Sequence, residues 1–418
     1  MVGISGVGMS ALAQLLAHEG KRVTGSDSAW FPTLKAVEKL GIPVTIGYAA
    51  SNIPQDAELL IHTDAAHPDN LERAEAAKRG LPDISYFKTL GDVSIGKKTI
   101  AIAGTHGKTT TTGMLAKILV DAGARPTAIV GSIVKDFGSN YVAGTSDIFV
   151  VEACEYKDHL LELSPELLVI TNLEWDHTDY FPSLVALQET FGKAITRVPE
   201  TGAIITDPAN PNIAPLLSAA RARVVDYTRE PSYELLLPGE FNQQNARAAA
   251  GTARLVYPEL SEEGIALSLK SFHGTWRRFE YKGKTAEGVD VYDDYAHHPT
   301  AIRATLAALR AKTSGKVFVA FHPHLYSRTR DLLDEFASAF SDADEVLVAP
   351  IYAARETDDG TVSSALLVER MSASGVHART ASFAEIASIL RAEPNVGDTV
   401  MTMGAGDIYK ITDALVGK

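Results

Sequence analysis

The sequence predicts an α/β fold of three domains, because short apolar runs alternate with helix-period segments in three successive series. Three observations carry that reading. A glycine turn opens the chain, a second glycine loop followed by Lys and four Thr opens a new series near residue 104, and a third series of strands follows residue 275. The expected divisions are residues 1–95, 96–274 and 275–418.

The first section reads "MVGISGVGMSALAQLLAHEGKRVTGSD": a glycine turn, an apolar-periodic helix ending near Gly20, then a short strand and Asp27. This is the beginning of a Rossmann-like βαβ unit. Only Met1 and Val2 precede Gly3, so either the first strand is very short or the sequence starts inside it. The alternation continues through "AELLIHTDAA" and "LERAEAAKRG".

"SIGKKT" resets the pattern, "TIAIAG" is a strand, and "TTTTGMLAKILVDAG" is a helix stopped by Gly123. Two apolar runs follow, "DIFVVEA" and "LLVITN", each ending in polar residues as a buried parallel strand does where it leaves a sheet. Ligands of open α/β sheets bind beyond such ends, which is where Glu152 and Asn172 stand. After a helical pattern over 242–256, "VDVYDDYAHHP", "KVFVAFHPHLYSR", "EVLVAPIYAARE" and "DTVMTMGAGD" are four strands running into polar loops, a second doubly wound pattern.

Composition excludes several classes. The net charge of −13 argues against DNA or RNA as the main partner, since that affinity comes from Lys and Arg displacing counterions. One cysteine, Cys154, leaves no intramolecular disulfide. No run reaches the roughly 18 apolar residues that would span a bilayer, and no basic leader opens the chain, so the cytoplasm is the expected compartment and membrane insertion is not expected.

"GTHGKT" joins a strand to a helix. Gly104 and Gly107 let backbone N–H groups, with Thr105, His106 and Thr110 around them, turn toward an anion at the helix N-terminus. Lys108 offers a cation to outer phosphates, and Thr109 stands where a phosphate loop places its magnesium-binding hydroxyl. Glu152 and His177, both just past strand ends, are further metal candidates. Magnesium prefers oxygen, so Glu152 is the comfortable ligand, while His177 alternatively binds phosphate or packs. Cys154, between Glu152 and Glu155, reads as a small core residue, because adjacent carboxylates oppose a thiolate.

With "GTHGKTTT", "EACEY", "NLEWDHTDYF", "FNQQNARAA", "WRRFE" and "DDYAHHPT" in this order, the chain resembles the Mur ligase family of peptidoglycan synthesis over essentially its whole length. The resemblance implies a central ATP-binding domain, ATP and Mg2+ as cofactors, and an ATP-dependent carboxylate–amine ligase acting on UDP-N-acetylmuramate. It further implies Gly6, Gly8, Met9 and Ser10 at the sugar-nucleotide diphosphate with Asp27 near the sugar or base. Asn242 and Asn245 would lie by the adenine, and Arg278 would approach the ATP phosphates. Asp294, Tyr295 and His297 would serve the nucleotide and amino-acid side, and His324 and Arg328 the acceptor, with the Arg328 guanidinium on its carboxylate.

Within the family, "GISGVGMSALA", "HPHLYSRTRD", "IYAARE" and "GAGD" imply L-alanine as acceptor. The alternative is a ready-made tripeptide recycled onto the same sugar nucleotide. Leu325 departs from the Arg that many relatives carry, which puts a second cation there in doubt. Lys193 lies where several relatives carbamylate a lysine, and it is not assigned that role. For the amine step His297 is the candidate base, its imidazole expected to titrate in the useful range, with His177 or Asp294 as substitutes. Two rivals remain: a nicotinamide dehydrogenase, whose glycine spacing here is G-x-x-G-x-G and which leaves "GTHGKTTT" unexplained, and a nucleotide-gated binding protein without ligase activity.

Overall fold

Val2 alone joins the two halves of the N-terminal sheet, bridging in parallel to Ser26 on one side and to His62 on the other. Four three-residue strands flank it: β1 (Gly25–Asp27) pairs with β2 (Val44–Ile46), and β3 (Leu60–His62) with β4 (Asp83–Ser85), all parallel. The doubly wound pattern expected from the glycine turn is therefore present, with its central strand reduced to one bridging residue. In this computed structural model, which describes residues 1–417, that sheet belongs to the first of two units, made of residues 1–173, 187–234 and 244–275.

The same unit contains β5 (Lys98–Ala103), β6 (Thr127–Val134), β7 (Ser139–Val142), β8 (Ile148–Glu152), β9 (Leu167–Ile170), β10 (Ala203–Thr206) and β11 (Arg223–Asp226). They form one sheet in the order β11-β10-β9-β5-β8-β6-β7. Only the β6–β7 hairpin is antiparallel. Strands β5, β8 and β9 are apolar on both faces because the sheet buries both, and this is why each reads as a continuous hydrophobic run. Register sets their ends side by side, with Ile102 opposite Glu152 and Ala103 opposite Ile170. Whatever follows these three strands shares one sheet edge.

The second unit comprises residues 174–186, 235–243 and 276–418. Its strands are β12 (Glu280–Lys284), β13 (Asp290–Asp294), β14 (Val317–Phe321), β15 (Glu345–Val348), β16 (Ala378–Thr380) and β17 (Thr399–Met403), ordered β12-β13-β17-β14-β15-β16. All pairs are parallel except β12–β13. The four strands read from sequence are β13, β14, β15 and β17. Phe321, Phe336, Phe340 and Leu306 centre one core layer, and Trp175 and Phe241, from the two short inserted segments, pack against it. Among the described residues no helix is long and apolar enough to cross a membrane.

Candidate active site

In the first unit the phosphate-type loop leaves β5 and enters the helix Lys108–Asp121. Gly104 and Gly107 have φ of +126° and +81°. A Cβ at Gly104 would lie 2.3 Å from Thr171 Oγ1 and one at Gly107 2.2 Å from Asn245 Oδ1, so no side chain fits either position. Two residues after β9 clamp the loop. The His106 N–H donates to Asn172 Oδ1 (2.9 Å), and its carbonyl accepts from Thr171 Oγ1 (2.6 Å) and Asn172 Nδ2 (3.0 Å). The Thr105 N–H donates to the Asn172 carbonyl at 3.2 Å.

Lys108 Nζ donates to Glu155 Oε1 (3.0 Å), to the Thr105 carbonyl (3.2 Å) and to the Gly104 carbonyl. Burial works against its charge, but Glu155, Cys154 and Glu152 outweigh it and raise its pKa, so the ammonium persists. Burial, helped by Glu155, pushes the Cys154 thiol up to about 12, which agrees with the sequence reading that it is no nucleophile. Thr109 Oγ1 donates to Glu152 Oε1 at 3.1 Å, and Glu152 Oε2 accepts the Gly131 N–H at 2.8 Å. A hydroxyl and a carboxylate brought together are hard oxygen donors and fit Mg2+. Thr110 is buried beside them. Asn245, expected at the adenine, also braces the start of the helix: its Oδ1 accepts the Thr111 hydroxyl at 3.2 Å.

The N-terminal glycine turn differs from expectation in which groups it presents. Met9 and Ser10 are turned inward, Ser10 because its hydroxyl donates to the Val7 carbonyl (2.9 Å) and accepts from Asn140 Nδ2 (3.1 Å). Asp27 Oδ2 accepts the Ser5 N–H (2.8 Å) and its Oδ1 the Ser28 N–H (2.7 Å), so the carboxylate pins the turn. Gly6 precedes the helix Val7–His18, and a Cβ on Gly8 would strike the Tyr86 ring at 2.6 Å. Gly6, Val7 and Gly8 are the residues of this turn left at least partly exposed.

In the second unit Arg328, 1% exposed, donates from Nε to Asp176 Oδ1 at 2.7 Å, and its Nη1 lies 3.0 Å from His324 Nδ1. Burial would raise the Asp176 pKa, but Arg328 and the nearby His177, His298 and His297 hold it well below the carboxylate range. The histidines respond the other way. Burial and then Arg328 depress His297 well below the usual imidazole value, and the same two causes bring His324 to about 3. His297 is therefore neutral, and the expectation that it titrates near neutrality gives way to desolvation; its Nδ1 lies 2.9 Å from the Tyr295 carbonyl.

Arg278 stacks over the Tyr295 ring at 4.7 Å. Asp294 accepts the N–H groups of Phe279 (2.7 Å) and Ala296 (2.6 Å), and burial pushes its pKa up to about 6 despite Arg278 and those two bonds. Asn242 is buried, with Nδ2 donating to the Pro238 carbonyl at 2.7 Å. The residues expected to share a site thus fall into two groups: Lys108, Thr109, Glu152 and Asn245 in the first unit, and Asn242, His177, Arg278, Asp294, Tyr295, His297, His324 and Arg328 in the second. Lys193 is exposed on the helix Leu184–Arg197.

Sequence reading missed three partners. Glu155 pairs with Lys108, Asp176 with Arg328, and Arg277 uses its whole guanidinium on Asp293 (2.8 Å) and the Gly406 and Gly404 carbonyls (2.9 and 2.6 Å). For the first two, each carboxylate flanks a residue already singled out, which marks the neighbourhood and not the partner. Nothing in "WRRFE" tells which arginine faces inward.

Three family models match the chain in order: the Mur ligase family catalytic domain over residues 1–98, the Mur ligase middle domain over 102–234, and the Mur ligase glutamate ligase domain over 277–406. The UDP-N-acetylmuramate–L-alanine ligase of Clostridium acetobutylicum is 37% identical over 447 residues, covering 100% of this chain and 97% of the relative. Among solved structures, UDP-N-acetylmuramate–alanine ligase from Thermotoga maritima matches with a TM-score of 0.81 and 26% identity over 100% of this chain and 97% of that one. A murein peptide ligase from Psychrobacter arcticus has the same fold, with a TM-score of 0.75 at 23% identity over 100% and 97% of the two chains.

Proposed function

Since the chain belongs to the Mur ligase family, we propose that it joins L-alanine to the lactyl carboxylate of UDP-N-acetylmuramate at the expense of ATP, in peptidoglycan precursor synthesis in the cytoplasm. The full-length 37% identity to an L-alanine ligase carries this reading. The clamped phosphate loop with a charged Lys108 supports it. The divisions at residues 95 and 274 are retained as the domain boundaries of this reading.

A carboxylate does not acylate an amine at neutral pH, because its oxygen is a poor leaving group. Transfer of the γ-phosphoryl group of ATP to the lactyl carboxylate gives an acyl phosphate and ADP. The alanine amine then attacks the acyl carbon, and the tetrahedral intermediate expels phosphate as the amine proton passes to a base. Phosphoryl transfer asks the protein mainly for positioning and neutralisation of charge. Lys108 supplies a cation to the outer phosphates, and the N–H groups at the start of the helix Lys108–Asp121 would cradle them, those of Thr105 and His106 being engaged by Asn172. Thr109 and Glu152 would hold Mg2+, with His177 as a third candidate; the ion supplies charge neutralisation at the phosphates when bound.

Asn245 keeps the loop in shape, Asn242 and Arg278 serve the nucleotide, and the backbone at Gly6 and Gly8 serves the diphosphate of the sugar nucleotide. Arg328 takes the acceptor carboxylate, with His324 beside it. His297, neutral and buried, is one candidate base for the amine, though the burial and the Arg328 charge that keep it neutral also lower its basicity; Asp294 is the second candidate, its pKa of about 6 being closer to a working base.

The test is phosphate release from ATP and Mg2+ with UDP-N-acetylmuramate, comparing L-alanine, glycine, L-serine and the L-Ala-γ-D-Glu-diaminopimelate tripeptide, with the product identified by mass. Release that depends on L-alanine, with the alanyl product, is expected. The murein peptide ligase fold match favours a second reading, and tripeptide-dependent release would install it. Silence with every acceptor would leave a nucleotide-binding relative without ligase activity.

A further inference from the structure

The segment 174–186 leaves β9 of the first unit's sheet yet is built into the second. Its hold there is specific. Trp175 packs against the core of that unit, and its carbonyl lies 3.2 Å from His298 Nε2. Arg355 Nε donates to Asp179 Oδ2 at 2.8 Å. At the centre, Asp176 Oδ1 accepts two bonds at once, from Arg328 Nε and from the backbone N–H of His177, both at 2.7 Å.

Asp176 and Arg328 are 4% and 1% exposed, so this is a buried, charge-assisted pair. The turn on the other side of that oxygen is tight. His177 has φ of +52°, and its carbonyl accepts the N–H groups of both Tyr180 and Phe181 at 2.8 Å. Trp175 Nε1 closes the turn on the Phe181 carbonyl at 2.8 Å. One carboxylate oxygen therefore sits between a guanidinium and the backbone that sets where His177 stands.

We propose that Asp176 is a positioning residue that couples the two halves of the reaction: occupation of Arg328 by the acceptor's carboxylate is transmitted through the shared Oδ1 to the His177 turn. The inference rests on the reading that Arg328 meets that carboxylate. The physical reason is competition for one cation. A second carboxylate arriving at the guanidinium weakens the claim of Asp176 on it, and the oxygen shifts its bonding toward the His177 N–H. Coupling of this kind is reciprocal, so a correctly set His177 turn also prepares Arg328. Enzymes that must not discharge an activated intermediate before the acceptor arrives gain from such a link.

Trp175, the neighbour of Asp176, is a built-in reporter, and replacing the two other tryptophans (Trp30→Phe, Trp276→Phe) leaves it as the only one. In this background, with UDP-N-acetylmuramate and a non-hydrolysable ATP analogue present, titration with L-alanine is expected to shift Trp175 emission. Asp176→Ala should abolish the shift and raise the acceptor KM about tenfold or more, within the usual range of coupling between sites. Asp176→Asn, which keeps an acceptor oxygen for the His177 N–H but loses the charge facing Arg328, should retain part of the shift with KM raised about fivefold.

A full shift and unchanged KM in the Asn variant would overturn the coupling even if the Ala variant fails to fold. Failure of both acceptors to move Trp175 in the parent would overturn it as well. A shift with the tripeptide but not with L-alanine would instead discard the alanine reading and leave the coupling standing.

Discussion

The phosphate loop of the first unit and the Asp176–Arg328 cluster of the second solve opposite electrostatic problems. Lys108 is half-buried among one carboxylate and two backbone carbonyls and keeps its charge for a polyanion. Arg328 is wholly buried and spends its Nε on Asp176, and burial, reinforced by its charge, keeps the neighbouring His297 and His324 neutral. The first arrangement presents charge, whereas the second confines charge to one pair and keeps its bases uncharged. A ligase needs both, because phosphoryl transfer requires cations and the amine step requires an unprotonated base.

The largest test of this contrast is Lys108→Ala, expected to lower turnover about 1000-fold, roughly 4 kcal/mol of barrier, with sugar-nucleotide binding little changed. A loss under tenfold in single-turnover phosphate release would mean that Lys108 is not the phosphate cation. Next in size is Arg328→Lys, which keeps a cation against Asp176 but loses the planar fork. The acceptor KM should rise about 30-fold, roughly 2 kcal/mol, with kcat within about threefold. Equal falls in kcat and kcat/KM would instead put Arg328 on the transition state.

A smaller effect separates shape from charge. Gly107 and Gly20 have nearly the same φ, +81° and +78°, but a Cβ on Gly107 meets Asn245 Oδ1 at 2.2 Å whereas one on Gly20 meets nothing within 4 Å. Gly20→Ala should cost about 1 kcal/mol in urea unfolding, and Gly107→Ala about 2–3 kcal/mol, the excess coming from the displaced asparagine. Equal costs would show that the loop yields without Asn245.

The last test concerns pH, where the effect is spread over about two units. The Asp294 pKa of about 6 lies above the ordinary 3.8, so between these values the folded chain holds a proton that the unfolded chain has lost. Its contribution to stability is present below about pH 3.8 and fades as pH rises through 6. Wild type should therefore lose stability relative to Asp294→Asn over that interval, by at most about 1.4 kcal/mol per pH unit. Parallel stability curves would remove the assignment.

The phosphate loop was legible because its chemistry is local. Gly104, Gly107, Lys108 and Thr109 lie within six residues, and Glu152 ends a strand whose apolar run announces it. The second cluster was only half legible, since Asp176 and Arg328 stand 152 residues apart and a single sequence carries no sign of their pairing. The inward turn of Ser10 was partly hidden for a related reason: besides the local Val7 carbonyl, its hydroxyl meets Asn140, far along the chain. Strands β12 and β16 escaped notice because one alternates Glu, Lys and Gly at an antiparallel edge and the other is three residues long.

The two short segments inserted into the second unit have a consequence for how the protein divides. Residues 276–418 form an unbroken stretch with a complete six-stranded sheet, and a gene fragment encoding only that stretch looks self-sufficient. It would lack Trp175 and Phe241, which cover part of its apolar core, and Asp176, the counter-ion of its buried Arg328. Such a fragment would fold poorly and self-associate. The modularity visible along the gene is therefore not the modularity of the folded chain.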